Sequence, residues 1–329
     1  MKSLVTGASG FIGSHIVERL KRHDEDVAAL VRRTSNTEFL KTLGVELRYA
    51  ALDEPEALKK ALEGIDRVYH SAALADEWIS PEVAYKVNVA GTKNLLEAAR
   101  QQNVKRFIFV SSLAVLGMRD HHGTPADSPY KKTGDPYIDT KIDSEKLVFD
   151  YYKTYGLPAT VVRPGFVFGP RDKKLIPRIV EKIANDKFMF VGDGKNMMNI
   201  VYIENLTSAI IAAGASEKAI GQAYNVTNDS GMNIESFIFN ITDLWRLKRP
   251  KKHIPKGLAY LVCNILEGWA RLIKATAPPY ITKTRIKFLS LNLDFDVKKT
   301  REELDWRPHI SVEDGLRRTK EWLDKNSLK

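Results

Sequence analysis

Short β-branched runs alternate with longer stretches of helical apolar spacing through the first 165 residues. The strand-like runs are Ser3–Thr6, Val27–Val31, Glu46–Tyr49, Arg67–Ser71, Phe107–Ser111 and Ala159–Arg163; the helical stretches include Gly13–Arg22, Glu56–Leu62, Ala84–Gln101 and Tyr137–Tyr155. Alternation of this kind predicts an α/β fold with a parallel sheet and helices on both faces. Right-handed crossovers make such a sheet doubly wound, with its ligand crevice at the carboxyl ends of the strands. After Arg163 the regularity weakens. A short strand near Phe188–Val191, the run Ile200–Ala213 and a strand near Ala223–Thr227 predict that the chain leaves the sheet and re-enters it. The expected organisation is a sheet domain of residues 1–165 and 187–227, interleaved with a smaller C-terminal part of residues 166–186 and 228–329.

Composition changes this picture little, because 43% apolar and 28% charged residues are ordinary for a globular chain. The single cysteine, Cys263, excludes an internal disulfide and a thiolate metal cluster, which suits a reducing compartment. The short strand-like start has no secretory apolar core, so a cytoplasmic location is expected. Charge says more. The net charge is +10, and residues 246–290 hold eleven Lys or Arg against one acid, Glu267. A solvated basic face, an anionic membrane surface and a nucleic acid are the three readings of such a segment. Its apolar positions, Leu258 to Cys263 with Ile265, Leu266, Trp269, Leu272 and Ile273, are broken by Asn264, Glu267, Gly268 and Arg271. No run reaches the ~18–20 apolar residues of a spanning helix. Residues 245–290 are therefore expected to cover a greasy pocket or to touch a membrane peripherally. Nucleic acid is not expected, because the aromatics lie within apolar helix and form no stacking platform.

The chemistry begins at Thr6-Gly7-Ala8-Ser9-Gly10-Phe11-Ile12-Gly13, which follows the first strand and opens the first helix. Three glycines at this spacing allow a tight turn, close backbone approach to a phosphate and close helix–strand packing. The helix N-terminus then offers free N–H groups to a pyrophosphate. In this strand–loop–helix context the motif predicts a Rossmann dinucleotide site. The second strand ends in Val31-Arg32-Arg33-Thr34-Ser35-Asn36, with no acid to hold ribose hydroxyls. Arginine pairs well with a 2′-phosphate, so Arg32, Arg33 and Ser35 favour NADP(H), with NAD(H) the alternative.

Tyr137 and Lys141 stand four residues apart in a helical stretch, which places both on one face. A nearby cation favours phenolate and is expected to lower the tyrosine pKa from ~10 towards a working general base. Val110-Ser111-Ser112 ends the fifth strand, where a hydroxyl can point into the crevice. No His, Cys, Asp or Glu cluster has metal-ligand spacing, so no metal is expected.

The order of these motifs resembles the extended short-chain dehydrogenase/reductases, of the NAD-dependent epimerase/dehydratase type, over almost the whole chain. It runs from the glycine loop through Asp53, His70-Ser-Ala-Ala73, Asn88-Val-Ala-Gly-Thr92, Ser111-Ser112-Leu-Ala-Val-Leu-Gly117 and Tyr137-x-x-x-Lys141 to Arg163-Pro-Gly-Phe-Val-Phe-Gly-Pro170 and the tail around Trp306. The resemblance implies that Tyr137 is the acid/base, that Lys141 holds the nicotinamide ribose, and that Ser112 orients the reacting oxygen. It implies cofactor contacts for Leu52 and Asp53 at the adenine and for Ala72 and Ala73 at the ribose and pyrophosphate. Val110 and Ser111 at the fifth strand, and Pro164, Gly165, Phe166 and Val167 at the carboxamide, complete that set. Asn88, counted with the cofactor-site residues, would brace the central helix, and His70 reads as a satisfied core residue. A homodimer is implied, paired through the two long helices.

Within the family, dehydratases follow the catalytic hydroxyl with an Asp-Glu pair, where this chain has Leu113-Ala114. Many sugar-nucleotide enzymes carry an asparagine where Phe166 stands, and an arginine near Met197-Met198-Asn199. A buried diphosphate without such partners is expensive. The tract Val201 to Leu206 and the later Pro278-Pro279-Tyr280-Ile281-Thr282-Lys283 are similar to the 3β-hydroxysteroid dehydrogenase/isomerase branch. The resemblance thus implies hydride transfer on a secondary alcohol or ketone of a sterol- or lipid-like substrate, in a pocket walled by Leu113, Phe166, Met197, Met198 and Tyr202. A sugar-nucleotide epimerase is the alternative. A non-catalytic nucleotide sensor is disfavoured, because the Tyr/Lys pair is kept.

Overall fold

Alternate residues of the sheet strands are apolar on both faces, as a parallel sheet covered on two sides requires. In β1 (Lys2–Thr6) Leu4 joins one buried cluster and Val5 the other. In β5 (Arg106–Val110) Phe107 and Phe109 face one way and Ile108 and Val110 the other. The structure, a computed structural model, describes residues 1–75, 78–273, 275, 277, 279 and 281–326. Lys274, one of the eleven basic residues of 246–290, and Pro278 and Tyr280 lie outside the described residues, as does the side chain of Arg271.

The remaining sheet strands are β2 (Asp26–Val31), β3 (Glu46–Tyr49), β4 (Arg67–His70), β6 (Ala159–Pro164) and β7 (Ala223–Val226). All seven run parallel in the order β7-β6-β5-β4-β1-β2-β3, a doubly wound sheet. The winding reverses between β1 and β4, where Thr6 stands beside His70. Loops leaving these two strands diverge and open the crevice that binds ligands in such sheets. One face is covered by α1 (Phe11–Arg22) and the helix Ile203–Ala215. The other carries α2, helical from residue 81 to 101, and α3 (Pro136–Tyr155).

The chain does leave and re-enter the sheet. Phe166–Phe168 pairs with Ile200–Tyr202, and Phe190–Val191 pairs with His253–Ile254, both outside the main sheet. Within 187–227, therefore, Ala223–Val226 is the segment that joins the seven strands. The run Ile200–Ala213 divides into a strand and the helix that follows it. Toward the C-terminus, α4 (Lys256–Leu272) and α5 (Lys283–Ser290) pack together beside the crevice, and α6 (Val312–Asn326) closes one end of it.

Candidate active site

A cavity of about 920 Å³ lies over the carboxyl ends of the strands, bounded at one end by Ser9, Gly10 and Phe11. Backbone packing demands the glycines there. Gly7 has φ +64°, and a Cβ on it would lie 2.8 Å from the Ala72 nitrogen. A Cβ on Gly13 would lie 2.2 Å from the Gly7 oxygen. Gly10 caps α1 with no side-chain hydrogen bond, and no acid stands in the first turn. The helix dipole and its N–H groups are thus free for an anion, and a dinucleotide pyrophosphate fits this cradle.

Behind the cradle, hydroxyls and one imidazole fasten β1 to β4. The Thr92 hydroxyl donates to the Asn88 carbonyl at 2.5 Å. Thr92 Oγ therefore accepts from His70 Nε2, 2.9 Å away, and His70 Nδ1 accepts from Thr6 Oγ1 at 2.7 Å. Burial, with the charge of Lys141 adding to it, holds the His70 pKa at about 3, so the ring is neutral and structural. The Ala72 N–H donates to Thr6 Oγ1, which fixes the loop carrying Ala72 and the exposed Ala73. Asn88 spans the same loop: its amide accepts from Leu74 N at 2.8 Å and donates to Leu74 O and to Thr140 Oγ1. Asn88 is thus a clamp between the β4 loop and α3.

Beyond β2, Arg32 and Arg33 are exposed, and the Arg32 N–H donates to Ser35 Oγ at 3.1 Å. Asp53 is exposed and 3.5 Å from Lys86 Nζ, while Leu52 packs against Gly91 and accepts from Asn94 through its carbonyl.

Ser112 and Tyr137 both line the cavity. Ser112 caps a short turn, its hydroxyl accepting from Ala114 N at 3.2 Å. Tyr137 sits in the first turn of α3, where Asp135 accepts from the Tyr137 and Ile138 N–H groups. Lys141, one turn later, is 3% exposed and donates to the Val110 carbonyl at 2.8 Å, above the Phe109 ring. Burial lowers its pKa to about 8. The expected depression of the tyrosine is not what this arrangement produces. Burial, and secondarily the Asp135 carboxylate, push the Tyr137 phenol up to about 12. The phenol is therefore protonated at neutral pH and can act as a proton donor.

Ser111 differs from Ser112. Its hydroxyl donates to Glu145, away from the cavity, so the expected cofactor contact through that side chain is corrected to a structural one. Glu145 also binds Arg163, at 2.6 Å between Oε2 and Nη2, and accepts from the Tyr130 hydroxyl; the ion pair is buried. This network ties α3 to β6.

At the far end the cavity is aromatic. Phe166 meets Phe288 edge to face at 4.6 Å, with Phe295, Leu293 and Met118 nearby. Pro164, Gly165 and Val167, expected at the cofactor carboxamide, line the cavity wall. Leu113, Met197, Met198 and Tyr202 do not. Leu113 is buried against Ile138 and Ile142. Tyr202 is fully buried beside Phe168 and Gly315, and the two methionines flank the wall without entering it. Tyr202 belongs to the core because its strand pairs with Phe166–Phe168, which turns alternate residues inward.

Several lining residues were not anticipated. Asn199 is 8% exposed, and its Oδ1 has no hydrogen-bond partner among the described residues. It restores a polar group where Met197 and Met198 suggested none. Arg171 donates to Glu18 at 2.7 Å over the Phe39 ring, and with Lys173 and Lys174 brings positive charge to the glycine-loop side. Asp135 was legible, as an Asp-Pro pair opening a helix.

A glycine cradle at the switch point of a parallel sheet, opening onto a phenol and a hydroxyl, defines a dinucleotide-dependent oxidoreductase. The chain belongs to the NAD dependent epimerase/dehydratase family, whose model matches residues 3–227, and is an enzyme of the extended short-chain dehydrogenase/reductase type. It is 30% identical to the 3beta-hydroxysteroid-dehydrogenase/decarboxylase isoform 2 of Arabidopsis thaliana over 96% of its length, spanning 61% of that protein. It is 29% identical to the 2-alkyl-3-oxoalkanoate reductase of Stenotrophomonas maltophilia, with 97% and 98% of the two chains covered. UDP-glucose 4-epimerase of Thermotoga maritima shares the fold, with a TM-score of 0.80 at 23% identity over the whole of both chains.

Proposed function

We propose that the protein transfers a hydride between a nicotinamide and a secondary alcohol or ketone on a largely apolar body. The carrying observation is the cavity itself: Ser112 and Tyr137 open onto a chamber whose far wall is Phe166, Phe288 and Phe295. Two relatives whose names describe a hydroxysteroid dehydrogenase and an oxoalkanoate reductase support the same class. The bound cofactor supplies or accepts the hydride. Tyr137, held protonated, donates its phenolic proton to the carbonyl oxygen as that oxygen gains charge, and takes it back in the reverse direction. Ser112 hydrogen-bonds the same oxygen and fixes its position. Lys141 places a positive charge one turn behind the phenol, where it stabilises the phenolate left by proton donation. The glycine loop holds the pyrophosphate, and Arg32 and Arg33 favour NADP(H).

The protein should form a homodimer through α2 and α3, which expose Val83, Tyr85 and Tyr155, and a dimer mass at micromolar concentration is the expected reading. A panel of hydroxysteroids, 2-alkyl-3-oxo acids and UDP-sugars, followed by NAD(P)H absorbance, tests the substrate class. Turnover of an apolar member is expected. A thermal shift with UDP, with turnover confined to UDP-sugars, overturns the reading in favour of an epimerase.

A further inference from the structure

Amphipathic helices of water-soluble proteins turn their apolar stripe inward. The helix α4 reverses this. Leu258, Leu261, Ile265, Trp269 and Leu272 follow one another at spacings of three and four, so they form one stripe, and all are exposed. Ile265 and Trp269 are each 63% exposed and Leu272 79%. Turned inward are Ala259, Cys263 and Ala270, all buried, with half-buried Tyr260 packed on the cluster of Cys263, Val191 and Ile286. Glu267 also points inward, accepting from the Lys283 N–H at 2.6 Å. The expected pocket cover is therefore supplied by Thr284 and Phe288 of α5, and the five-residue stripe of α4 faces outward.

The chain on either side of this stripe is basic. Between Asp243 and Asp294 the sequence holds a single acid, the inward-facing Glu267. Lys248, Lys251 and Lys256 are exposed ahead of the stripe, and Lys283 is exposed after it. A second copy of the chain would bring two such basic flanks together, which like charges oppose. A surface both apolar and anionic complements both features. Among the described residues no helix is long and apolar enough to cross a membrane, and α4, with 17 residues, suits a position in the interfacial plane.

We propose that the outer face of α4 docks onto a lipid bilayer bearing anionic headgroups, and that substrate reaches Tyr137 from that side. A second cavity of about 880 Å³ is lined by Glu267 and Ala270 of α4 with Trp78 and Ile79. It shares Met118, Asp135, Ile138 and Thr284 with the catalytic cavity, so one wall separates the two cavities, and the second lies directly beneath α4. The delivery route rests on the apolar-substrate reading; the docking does not.

Flotation of the intact chain with substrate-free vesicles separates the two. Vesicles of phosphatidylcholine with roughly one-third phosphatidylglycerol should carry the protein at low salt, pure phosphatidylcholine much less, and about 0.5 M salt should release most of it. The double variant Ile265→Glu/Trp269→Glu should lower the bound fraction at least about tenfold while keeping NAD(P)H binding, because both side chains are already in water. Lys251→Glu/Lys256→Glu should remove the preference for the anionic lipid. No flotation with anionic vesicles at low salt overturns the proposal, as does unchanged flotation of the apolar variant. A solution dimer that the apolar variant abolishes, without flotation, gives the face to a second copy and overturns it too. A protein that floats but turns over only UDP-sugars keeps the docking and loses the delivery route.

Discussion

The two ends of the catalytic cavity are built from different material. At the glycine-loop end the anion cradle is main chain, shaped by one continuous stretch of eight residues, Thr6 to Gly13, with side chains such as Phe39, Arg171 and Lys174 around it. At the far end it is side chain, brought in by Phe166, Asn199, Phe288 and Phe295 from separate stretches of the chain. Main-chain walls tolerate no added atom but accept any ligand with the right phosphates. Side-chain walls can be exchanged residue by residue, which is how one fold takes different substrates. Between them stand Ser112 and Tyr137, whose chemistry does not depend on which substrate body fills the aromatic end.

The division is sharpest if the middle can be silenced without disturbing either end. Tyr137→Phe should reduce turnover by roughly 10²- to 10⁴-fold, the usual contribution of a positioned acid or base. Cofactor affinity, measured by fluorescence titration, should be unchanged. Activity within a few-fold of the parent would break the assignment. The main-chain end should fail differently. Gly13→Ala places a methyl against the Gly7 oxygen, and overpacking of this kind costs ~1–3 kcal/mol. Cofactor affinity should fall roughly 5- to 150-fold, with turnover at saturating cofactor much less affected.

Arg32→Ala examines the edge of the main-chain end. The parent should bind NADPH more tightly than NADH, and the substitution should narrow the gap by ~1–2 kcal/mol, as for a charge-assisted contact. Equal parent affinities would remove the preference. The smallest effect concerns pH. Lys141 has its pKa lowered to about 8, so it is charged below that value and neutral above it. The neutral amine still donates to Val110 but no longer favours the phenolate. Ketone reduction should therefore be level below pH 8, fall to half near about 8, and decline beyond, in initial rates from pH 6 to 10. A flat profile would show that the charge is not used.

The same division explains what could be read from the chain. The cradle was legible because its demands fall on residues close together in the chain: Gly7 takes a positive φ, and Gly10 and Gly13 pack against the Gly7 carbonyl. Tyr137 and Lys141 were legible because helical spacing is local. The strand alternation predicted the sheet, and its boundaries agree within a residue at β2, β3 and β6. The substrate wall depends on which residue of a strand faces the cavity. Met197, Met198 and Asn199 are neighbours, yet the asparagine enters and the methionines do not. Ser111 and Ser112, the two residues after β5, divide in the same way: the Ser111 hydroxyl meets Glu145 of α3 while Ser112 lines the cavity. The outward stripe of α4 shows the same limit: apolar spacing located the helix, but not the side on which it would lie.

Within α2, residues Tyr85–Ala90 form a π-helical turn, and Asn88 and Gly91 stand in and just after it. A π turn holds an extra residue relative to an α turn, so the helix before it and the helix after it are offset by one position in the chain. Each residue of an α-helix advances about 100° around the axis. Losing one residue from this turn would restore a regular helix and rotate one half against the other by about that angle. Asn88 would swing away from Leu74 and Thr140, or Gly91 would no longer receive Leu52, whose Cβ lies 2.8 Å from where a Gly91 Cβ would be. A single in-frame codon deletion within α2 is thus expected to uncouple the loop after β4 from the catalytic helix while every side chain of the cavity wall remains encoded.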